Sequence, residues 1–306
     1  MKVSLVTTVK DAAHAIEPFL ESLAAQTRPP DEVIVVDGGS TDGTVDRLRQ
    51  AAGVTLLEEP GANIARGRNV AIAASTHDVI AVTDGDCLLE PGWLERLLVP
   101  LEAGAEVAMG YYRPIVDGFL QACLAAVNLP PVEEIDPARF MPSSRSVAFR
   151  REAIDAAGGY PEWLDIGEDM FVNHRWRELG LDLRFAPDAV VHWRLRGSLL
   201  DIWIQYFRYA RGDAVAGMYP RRHALRFAVY GGALSGWSSR SRLLRLATLG
   251  GGLAYTARPL LRAMSRLEDP AERVRATVVV PALMAWIDSA KMAGYLAGLP
   301  AARDRA

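Results

Sequence analysis

Four short apolar runs recur through the first hundred residues, and each is followed by polar residues: 3–9, 33–36, 54–57 and 79–82. Runs of this length are too short for a typical helix and indicate strands buried on both faces of a sheet. Helical patterns separate them, beginning with apolar residues at three- and four-residue spacing between Ile16 and Leu23. Two strands joined by a helix form a βαβ unit, which requires a parallel sheet and a right-handed crossover. This half of the chain therefore predicts the order β-α-β-α-β-α-β, an architecture typical of nucleotide-binding domains.

Two carboxylates, Asp84 and Asp86, follow the run at 79–82 with only Gly85 between them. In an open α/β sheet, ligands bind just beyond the carboxyl ends of strands, so both acids are predicted to face a binding crevice. Neighbouring carboxylates repel each other unless a cation lies with them, and oxygen ligands suit Mg²⁺ or Mn²⁺ shared with substrate phosphates. The alternative is a solvated turn, because about one Asp-x-Asp is expected by chance in a chain of this length. The spacing alone leaves both interpretations open.

Asp37 follows the run at 33–36 and is predicted to face the same crevice. There a carboxylate can accept from a base N–H or a ribose hydroxyl, or it can bond to its own backbone as a turn residue. The glycines after it do not form G-x-G-x-x-G, and no G-x-x-x-x-G-K-[ST] occurs in the chain. The sequence therefore argues against a dinucleotide cofactor and against a P-loop ATPase.

The composition is that of an ordinary globular protein, with 306 residues, 50% hydrophobic and 23% charged, enough for one large domain or two. Two cysteines, Cys87 and Cys123, provide no disulfide framework and no metal knuckle, so a reducing compartment is expected. The N-terminal apolar run is too short for a signal peptide, and no charge-free apolar run approaches the ~20 residues that span a bilayer. We therefore expect a cytoplasmic protein, either soluble or peripheral at the inner face of the plasma membrane.

The charge of the chain is unevenly distributed. From Ile202 to Arg266 the sequence has eleven Arg and one acidic residue, Asp213, a net charge of +10, whereas the whole chain carries −3. The helical patterns of this region place Arg beside apolar residues, which favours an anionic membrane surface. A helical subdomain packed on the rest of the protein, with Arg on its wet side, explains the pattern equally well. No nucleic-acid recognition motif accompanies the charge, so nucleic acid is not expected as a partner.

Four segments carry a resemblance to a known family: TTVKDAAHAIEPFLESLAAQTRPPDEVIVVDGGSTDGT (7–44), GANIARGRNVAIAASTHDVIAVTDGDCLLEPGWL (61–94), SRSVAFRREAIDAAGGYPEWLDIGEDMFVNHRWRELG (144–180) and FAPDAVVHW (185–193). They cover most of residues 3–193, and the ordered set is far more specific than any single motif. The chain resembles the family 2 glycosyltransferases, which have the GT-A nucleotide-diphospho-sugar transferase fold. The resemblance implies an α/β domain with a mostly parallel central sheet flanked by helices, followed by an α-helical C-terminal region.

The resemblance also implies roles for matching positions. The residues that would bind a UDP- or GDP-linked sugar are Thr7, Val9, Asp11, Asp37, Arg68, Asp84 and Gly85. Asp84 would approach the ribose and Arg68 the base or the diphosphate, whereas Asp11 stands where many members have Asn. Asp86 would bind the Mn²⁺ or Mg²⁺ that bridges the diphosphate, and His192 matches a position that often supplies a further metal ligand.

Glu168 and Asp169 open a helix predicted over 170–179. Carboxylates at a helix N-terminus are favoured by the helix dipole, so a charged first turn is one interpretation. The resemblance implies that Asp169 is the general base, with Glu168 nearby at the acceptor. An acceptor hydroxyl must lose its proton as it attacks the anomeric carbon, which requires a carboxylate within hydrogen-bond reach, and one-step displacement inverts that carbon. Trp163, just before the acids, can stack on a sugar face or pack in the core.

We expect a catalytic domain over residues 1–200 and a helical, Arg-rich region over 201–306. The catalytic domain would comprise a nucleotide-binding half over 1–110 and an acceptor half over 111–200. Within the acceptor half, 113–146 has weak periodicity, and its prolines and acids predict a long loop over the active site, where the acceptor is chosen. The implied acceptor is a hydroxyl of a glycan, a lipid-linked molecule or a small molecule.

Two other functions are alternatives to glycosyl transfer. A sugar-phosphate nucleotidylyltransferase also begins with a βαβ nucleotide fold, but it needs a Gly- and Arg-rich phosphate loop after the first strand, which TTVKDAAHA (7–15) does not supply. A non-catalytic, membrane-docked binding module would use the basic helices and would not need the acids of the predicted site. The intact Asp86, Glu168, Asp169 and His192 argue against the second alternative.

Overall fold

The computed structural model describes residues 1–303, so residues 304–306 of the predicted helical region lie outside the described residues. The strands within this range are β1 (Val3–Val9), β2 (Glu32–Asp37), β3 (Thr55–Glu58), β4 (Val79–Val82), β5 (Cys87–Leu89), β6 (Val107–Ile115), β7 (Val147–Arg150) and β8 (Leu183–Arg194). The α-helices within it are α1 (Ile16–Ala24), α2 (Thr44–Gln50), α3 (Ile64–Ala74), α4 (Trp93–Glu102), α5 (Phe119–Asn128), α6 (Arg151–Ala157), α7 (Glu168–Glu178), α8 (Leu199–Val215), α9 (Pro220–Ser238), α10 (Arg242–Arg266) and α11 (Pro270–Arg303). The predicted order β-α-β-α-β-α-β is confirmed from β1 to β4.

The chain divides into two compact units, which we describe separately. The first comprises Met1–Ile115 and Pro131–Arg194, and the second comprises Val116–Pro130 and the chain from Leu195 onward. The prediction of one long loop over 113–146 is wrong, because α5 lies in that segment and packs with α10 and α11 of the second unit. The proposed boundary near residue 200 between catalytic and helical regions stays a prediction.

All strands of the first unit form one eight-stranded sheet in the order β3-β2-β1-β4-β7-β6-β8-β5. The strands from β3 to β4 pair in parallel, as the βαβ pattern predicts, and β6 pairs in parallel with β8. By contrast, β7 runs antiparallel to β4 and to β6, and β5 runs antiparallel to β8. The sheet is therefore mixed: the parallel pairs are those among β1 to β4 and the pair of β6 with β8. Val82 at the end of β4 lies opposite Val147 at the start of β7.

The core of the first unit fixes the position of α3 against the sheet. Apolar residues of the parallel strands, such as Ile80, are buried in one cluster with Phe149 of β7 and Trp176 of α7. Burying a side chain of this size stabilises the fold by roughly 1.5–3 kcal/mol. Gly67 lets α3 approach β1 closely, because a Cβ at this position would lie 2.7 Å from Cγ2 of Thr8. Arg68, the next residue along α3, is therefore held against the sheet, where the candidate site lies.

A buried carboxylate connects three helices of the second unit. Asp288 of α11 is 3% exposed and accepts from Nε of Arg226 at 2.7 Å. It also accepts from the hydroxyls of Tyr230 and Tyr255, at 2.9 and 2.6 Å. Arg226 and Tyr230 lie on α9 and Tyr255 lies on α10, so this one side chain ties α9 and α10 to α11.

A second buried contact extends this polar cluster to α8. His223 of α9 is 1% exposed, and its Nε2 lies 2.9 Å from Oδ2 of Asp213 on α8. Its ring stacks on that of Tyr295 of α11, with the ring centroids 4.0 Å apart. Burial lowers the pKa of the nearby Lys291 to about 8, with the charge of Asp288 opposing the shift. The helical unit is thus held by paired polar groups as well as by apolar packing, which agrees with the cost of leaving a buried charge unpaired.

One described helix is long and apolar enough to cross a membrane by length and composition alone, α11 over Pro270–Ala302. The sequence analysis predicted no such helix because charged residues interrupt the run. In the structure 39% of its most apolar stretch is buried, and the core helix of a soluble protein passes the same test. This finding is weak support for a membrane span.

We predict that Asp288→Ala lowers the free energy of unfolding by about 3 kcal/mol, because it leaves the guanidinium of Arg226, whose side chain is only 12% exposed, without its counter-charge. Thermal and urea unfolding followed by circular dichroism measure the loss. Glu268→Ala, at an exposed acid between α10 and α11, is the control and should change stability by less than about 0.5 kcal/mol. Equal stability of the two variants would contradict the role given to Asp288.

Candidate active site

One buried arginine joins two acids that lie 84 residues apart in the sequence, in different motifs. Nη2 of Arg68, on α3, donates to Oδ1 of Asp84 at 2.8 Å, and Nη1 donates to Oε1 of Glu168 at 2.5 Å. Arg68 is 2% exposed and Glu168 is 4% exposed, whereas Asp84 is partly exposed. The structure therefore brings together three of the predicted site residues, and it connects the end of β4 to the start of α7.

The charged groups of this bridge stabilise one another electrostatically. Burial opposes the charge of Arg68, but Glu168 and then Asp84 raise its pKa above the ordinary value. Burial likewise raises the pKa of Glu168, with Asp169 adding to the shift and Arg68 opposing it. The guanidinium also lies 5.2 Å from the ring centroid of Tyr160, whose burial raises the pKa of its hydroxyl to about 12. Removal of the arginine would leave a buried carboxylate without compensation.

Asp169 lies in the first turn of α7, where the chain turns sharply. Gly167 before the helix has φ of +88°, a conformation that side chains disfavour. Oδ1 of Asp169 accepts from the backbone N–H of Met170 at 2.7 Å, and Oδ2 accepts from that of Ser144 at 3.4 Å. Asp169 is partly exposed, unlike the buried Glu168 beside it. A partly exposed carboxylate can reach an acceptor hydroxyl, whereas the buried carboxylate of Glu168 is already paired with Arg68.

Arg145 is a site residue that the sequence analysis did not identify. Its Nε lies 3.5 Å from Oδ2 of Asp84, so two arginines flank that carboxylate. Its neighbour Ser144 bonds to Tyr160 through the hydroxyls, 3.0 Å apart, and contacts Asp169 through its N–H. The position falls at the start of a matched segment, but only the antiparallel pairing of β7 with β4 brings it beside Asp84.

The Asp84-Gly85-Asp86 turn packs tightly against β1. A Cβ at Gly85 would lie 2.5 Å from Cγ1 of Val9, so this position requires glycine unless Val9 moves. Val9 is buried and Asp86 is exposed. The hydroxyl of Thr7 is fully buried, and among the described residues it has no hydrogen-bond partner. Thr7 and Val9 therefore lie beside this turn, as a shared crevice requires.

Asp37 and Asp11 build the loops that follow β2 and β1. Asp37 is 1% exposed, and its Oδ1 accepts from the N–H groups of Gly39 and Ser40 at 2.8 Å, while Oδ2 accepts from the Ser40 hydroxyl. Asp11 has φ of +50° and accepts from the N–H of Thr41 at 2.8 Å through Oδ1. Asp37 thus forms the local turn that was its alternative interpretation, and within residues 1–303 neither acid is hydrogen-bonded or ion-paired to Arg68, Asp84 or Glu168.

The two predicted metal ligands do not form a preassembled site. Nε2 of His192, on β8, lies 3.2 Å from Oε1 of Glu90, and the register of β5 with β8 places His192 opposite Leu88 rather than beside Asp86. Within residues 1–303 no three His, Cys, Asp or Glu side chains gather closely enough to hold a metal ion. The exposed carboxylate of Asp86 fits a Mg²⁺ or Mn²⁺ ion that takes one or two carboxylates and completes its shell with water and substrate phosphates.

Comparison with known sequences identifies the class of enzyme. The model of glycosyl transferase family 2 matches residues 4–124. Glycosyltransferase AglE of Haloferax volcanii is 28% identical in an alignment of 232 residues that covers 72% of this chain and 75% of that protein. The pre-mycofactocin glycosyltransferase of Mycobacterium tuberculosis is 31% identical in an alignment of 226 residues that covers 69% of this chain and 46% of that protein. The protein is a glycosyltransferase, and its residues 4–124 match family 2.

Solved structures agree on the fold. A mannosyltransferase of Pyrobaculum calidifontis superposes with a TM-score of 0.58 and 21% identity, covering 97% of this chain and 87% of its own. The first 349 residues of TarS from S. aureus superpose with a TM-score of 0.53 and 17% identity, covering 100% and 92%. At these identities the likeness concerns the fold alone. This glycosyltransferase therefore has the predicted GT-A fold with a helical C-terminal region.

We predict that Arg68→Met destabilises this glycosyltransferase by about 3–5 kcal/mol at neutral pH, because a buried carboxylate loses its partner. Without the arginine the pKa of Glu168 rises further above its ordinary 4.5. An acid whose pKa is raised by folding loses stability as the pH rises through that raised value. The deficit relative to wild type should therefore be larger at pH 8 than at pH 5, as measured by urea unfolding.

Arg66→Met is the matched control for this prediction. Arg66 lies on the same helix, but its side chain is 53% exposed and pairs with Glu59 at 3.3 Å. An exposed ion pair contributes about 0–1 kcal/mol, so this variant should show a small change with little dependence on pH. Equal losses in the two variants would contradict the role of the buried bridge.

Proposed function

We propose that this enzyme transfers a sugar from a UDP- or GDP-linked donor to a hydroxyl acceptor with inversion at the anomeric carbon. The observation that carries the proposal is the Arg68 bridge, because it fixes the distance between the donor-side Asp84 and the helix that bears Asp169. Two of the similar structures support a nucleotide-sugar donor by what they contain. The Pyrobaculum mannosyltransferase is in complex with GDP-Man and Mn²⁺, and TarS 1–349 is in complex with UDP.

The donor side offers polar groups that a ligand can satisfy. Among the described residues, the buried hydroxyls of Thr7 and Thr83 and the buried Nε of Arg68 have no hydrogen-bond partner. Thr7 and Thr83 follow the paired residues Val6 and Val82, so they lie side by side at the carboxyl ends of β1 and β4. A buried polar group without a partner costs about 1–3 kcal/mol, which a bound ligand or water recovers. We assign this edge, with Asp37, Arg68, Asp84 and Gly85, to the donor.

The acceptor side is assigned to α7. In the proposed reaction the acceptor oxygen forms a bond to the anomeric carbon, the bond from that carbon to the diphosphate oxygen breaks, and Asp169 takes the hydroxyl proton. Glu168 holds α7 to Arg68 and does not take the proton, which narrows the role expected from the resemblance. Trp163 is 42% exposed and packs edge-on against Phe171, and stacking of a sugar ring on it stays a prediction.

The metal is assigned to Asp86, with Mn²⁺ or Mg²⁺ as the ion. When bound, such an ion neutralises negative charge on the departing nucleoside diphosphate. His192 remains the candidate for a second ligand, and to act so it would have to exchange its contact with Glu90 for the ion. This assignment is compatible with a metal shell completed by the substrate.

We predict that Asp169→Asn all but abolishes sugar transfer. The fall in kcat should be at least about 100-fold, because general-base catalysis commonly contributes 10²–10⁴-fold to the rate. Binding of the nucleotide sugar should change little, since Asp169 lies on the acceptor side. Transfer assays with UDP- and GDP-sugars, together with calorimetric titration of the same donors, make the measurement. Wild-type turnover in this variant would contradict the assignment of Asp169 as the general base.

Glu178→Gln is the control for the loss of a carboxylate on the same helix. Glu178 lies at the other end of α7, is 62% exposed and pairs with Arg175 at 2.8 Å. It should leave both transfer and donor binding unchanged. The non-catalytic binding module is tested by the same assays, since it predicts donor binding without turnover in the wild-type protein.

We also propose that α9 and α10 bind an anionic membrane surface, at the inner face of the plasma membrane. Between Pro220 and Arg266 the sequence contains nine Arg and no acidic residue. Large apolar side chains of these helices are exposed, among them Leu234 (71%), Leu243 (76%) and Leu253 (72%). Exposed apolar groups beside Arg suit lipid better than nucleic acid, and a second copy of this chain would present the same positive charge.

We predict that the wild-type enzyme sediments with vesicles containing phosphatidylglycerol and not with vesicles of phosphatidylcholine alone. The double variant Leu243→Asp/Leu253→Asp should lose most of this binding, because it removes apolar area and adds negative charge. Val99→Asp, at a 57% exposed residue on α4, is the control and should bind as wild type does. Unchanged binding of the double variant would exclude α10 as the docking element.

A further inference from the structure

Arg145 is placed beside the donor site by strand pairing and by a rigid neighbour. The antiparallel register pairs Val82 with Val147, so the residue two positions before Val147 lies beside the residue two positions after Val82, which is Asp84. Ser146 in between is fully buried and accepts from Nε1 of Trp93 at 2.8 Å. Its backbone carbonyl accepts from the N–H of Gly110 at 2.9 Å. The backbone at Arg145 is therefore fixed before any ligand binds.

The guanidinium of Arg145 is held on an aromatic surface. It lies 4.1 Å from the ring centroid of Trp193 and 6.0 Å from that of Tyr112. Nη1 donates to the hydroxyl of Ser143 at 2.9 Å. A guanidinium stacked on an indole gains cation–π energy and loses rotamer freedom, and its N–H edge stays oriented in one plane. The side chain is 17% exposed in all, although its Nε is buried.

The pairing of Arg145 with Asp84 is looser than a charge-assisted hydrogen bond. Such bonds are about 2.7–2.9 Å long, and Arg68 meets Asp84 at 2.8 Å, whereas Nε of Arg145 is 3.5 Å away. Asp84 therefore has its close partner in Arg68, and Arg145 adds a second positive charge at the same turn. The charge of Arg145 also acts on Cys87: burial raises the pKa of that thiol, Asp84 and Asp86 add to the shift, and Arg145 opposes it.

We propose that Arg145 binds the diphosphate of the donor and stabilises it as the leaving group, an inference that rests on the proposed function. A planar guanidinium presents parallel N–H donors that match phosphate oxygens, and a dianionic diphosphate is the ligand that such a positioned charge favours at this turn. Negative charge grows on the diphosphate oxygen as the bond to the anomeric carbon breaks, and a fixed positive charge there lowers the barrier. Asp84 is the resting partner that holds the guanidinium in place.

The test compares Arg145→Gln and Arg145→Lys with wild type in calorimetric titrations with UDP and GDP in the presence of Mn²⁺. We expect Arg145→Gln to bind the preferred diphosphate roughly 10- to 100-fold more weakly, the range expected for a hydrogen bond to a charged group. Arg145→Lys keeps the charge without the planar donors and should recover part of the affinity. Binding of the parent nucleoside, uridine or guanosine, should be unchanged in both variants.

Arg184→Gln is the matched control, since Arg184 lies in the same unit, is 46% exposed and pairs with Asp182 at 2.7 Å. It should bind diphosphate and nucleoside as wild type does. Equal diphosphate affinity in Arg145→Gln and wild type would overturn the inference and leave the proposed function intact. Equal loss for diphosphate and nucleoside, with a lower melting temperature, would make Arg145 a structural residue only. A wild-type protein that binds neither UDP nor GDP would overturn the proposed function, and the inference with it.

Discussion

The bridge from Asp84 through Arg68 to Glu168 is the interaction on which the site depends. Glu168 is buried, and a buried charge is retained only when a partner and hydrogen bonds compensate for its lost hydration. Arg68 can supply both because Gly67 lets α3 lie directly against β1. The bridge therefore converts close helix–sheet packing into a fixed relation between the end of β4 and the start of α7.

Further contacts extend the bridge into a ring around the proposed reaction centre. Tyr160 lies against Arg68 and bonds to Ser144, and Ser144 contacts Asp169 through its N–H. Arg145, the next residue, returns to Asp84. Groups that would hold the donor and the group that would take the proton are thus positioned by one connected set of bonds. Preorganisation of this kind reduces the reorganisation needed when charge develops in the transition state.

Local pattern was enough to predict the elements that carry this ring, and long-range pairing was needed to complete it. The four parallel strands, the turn at Asp84 and the acids opening α7 follow from apolar runs and from motifs. The contact of Arg145 with Asp84 depends on the antiparallel register of β7, which no local pattern specifies. The helix Phe119–Asn128 was missed for a similar reason, since it packs against helices more than one hundred residues later in the chain.

The three acids at the strand ends differ in what satisfies them, and this difference decides what each can do. Asp37 accepts hydrogen bonds from N–H groups of its own turn, so it stabilises that loop. A ligand could bond only to the lone pairs that these bonds leave unused. Asp84 pairs with a distant arginine, so in the proposed site it would hold guanidinium groups near the donor. Asp86 is exposed, which leaves its carboxylate accessible to an ion from solvent. Identical side chains at equivalent topological positions therefore have different chemistry because their partners come from different distances along the chain.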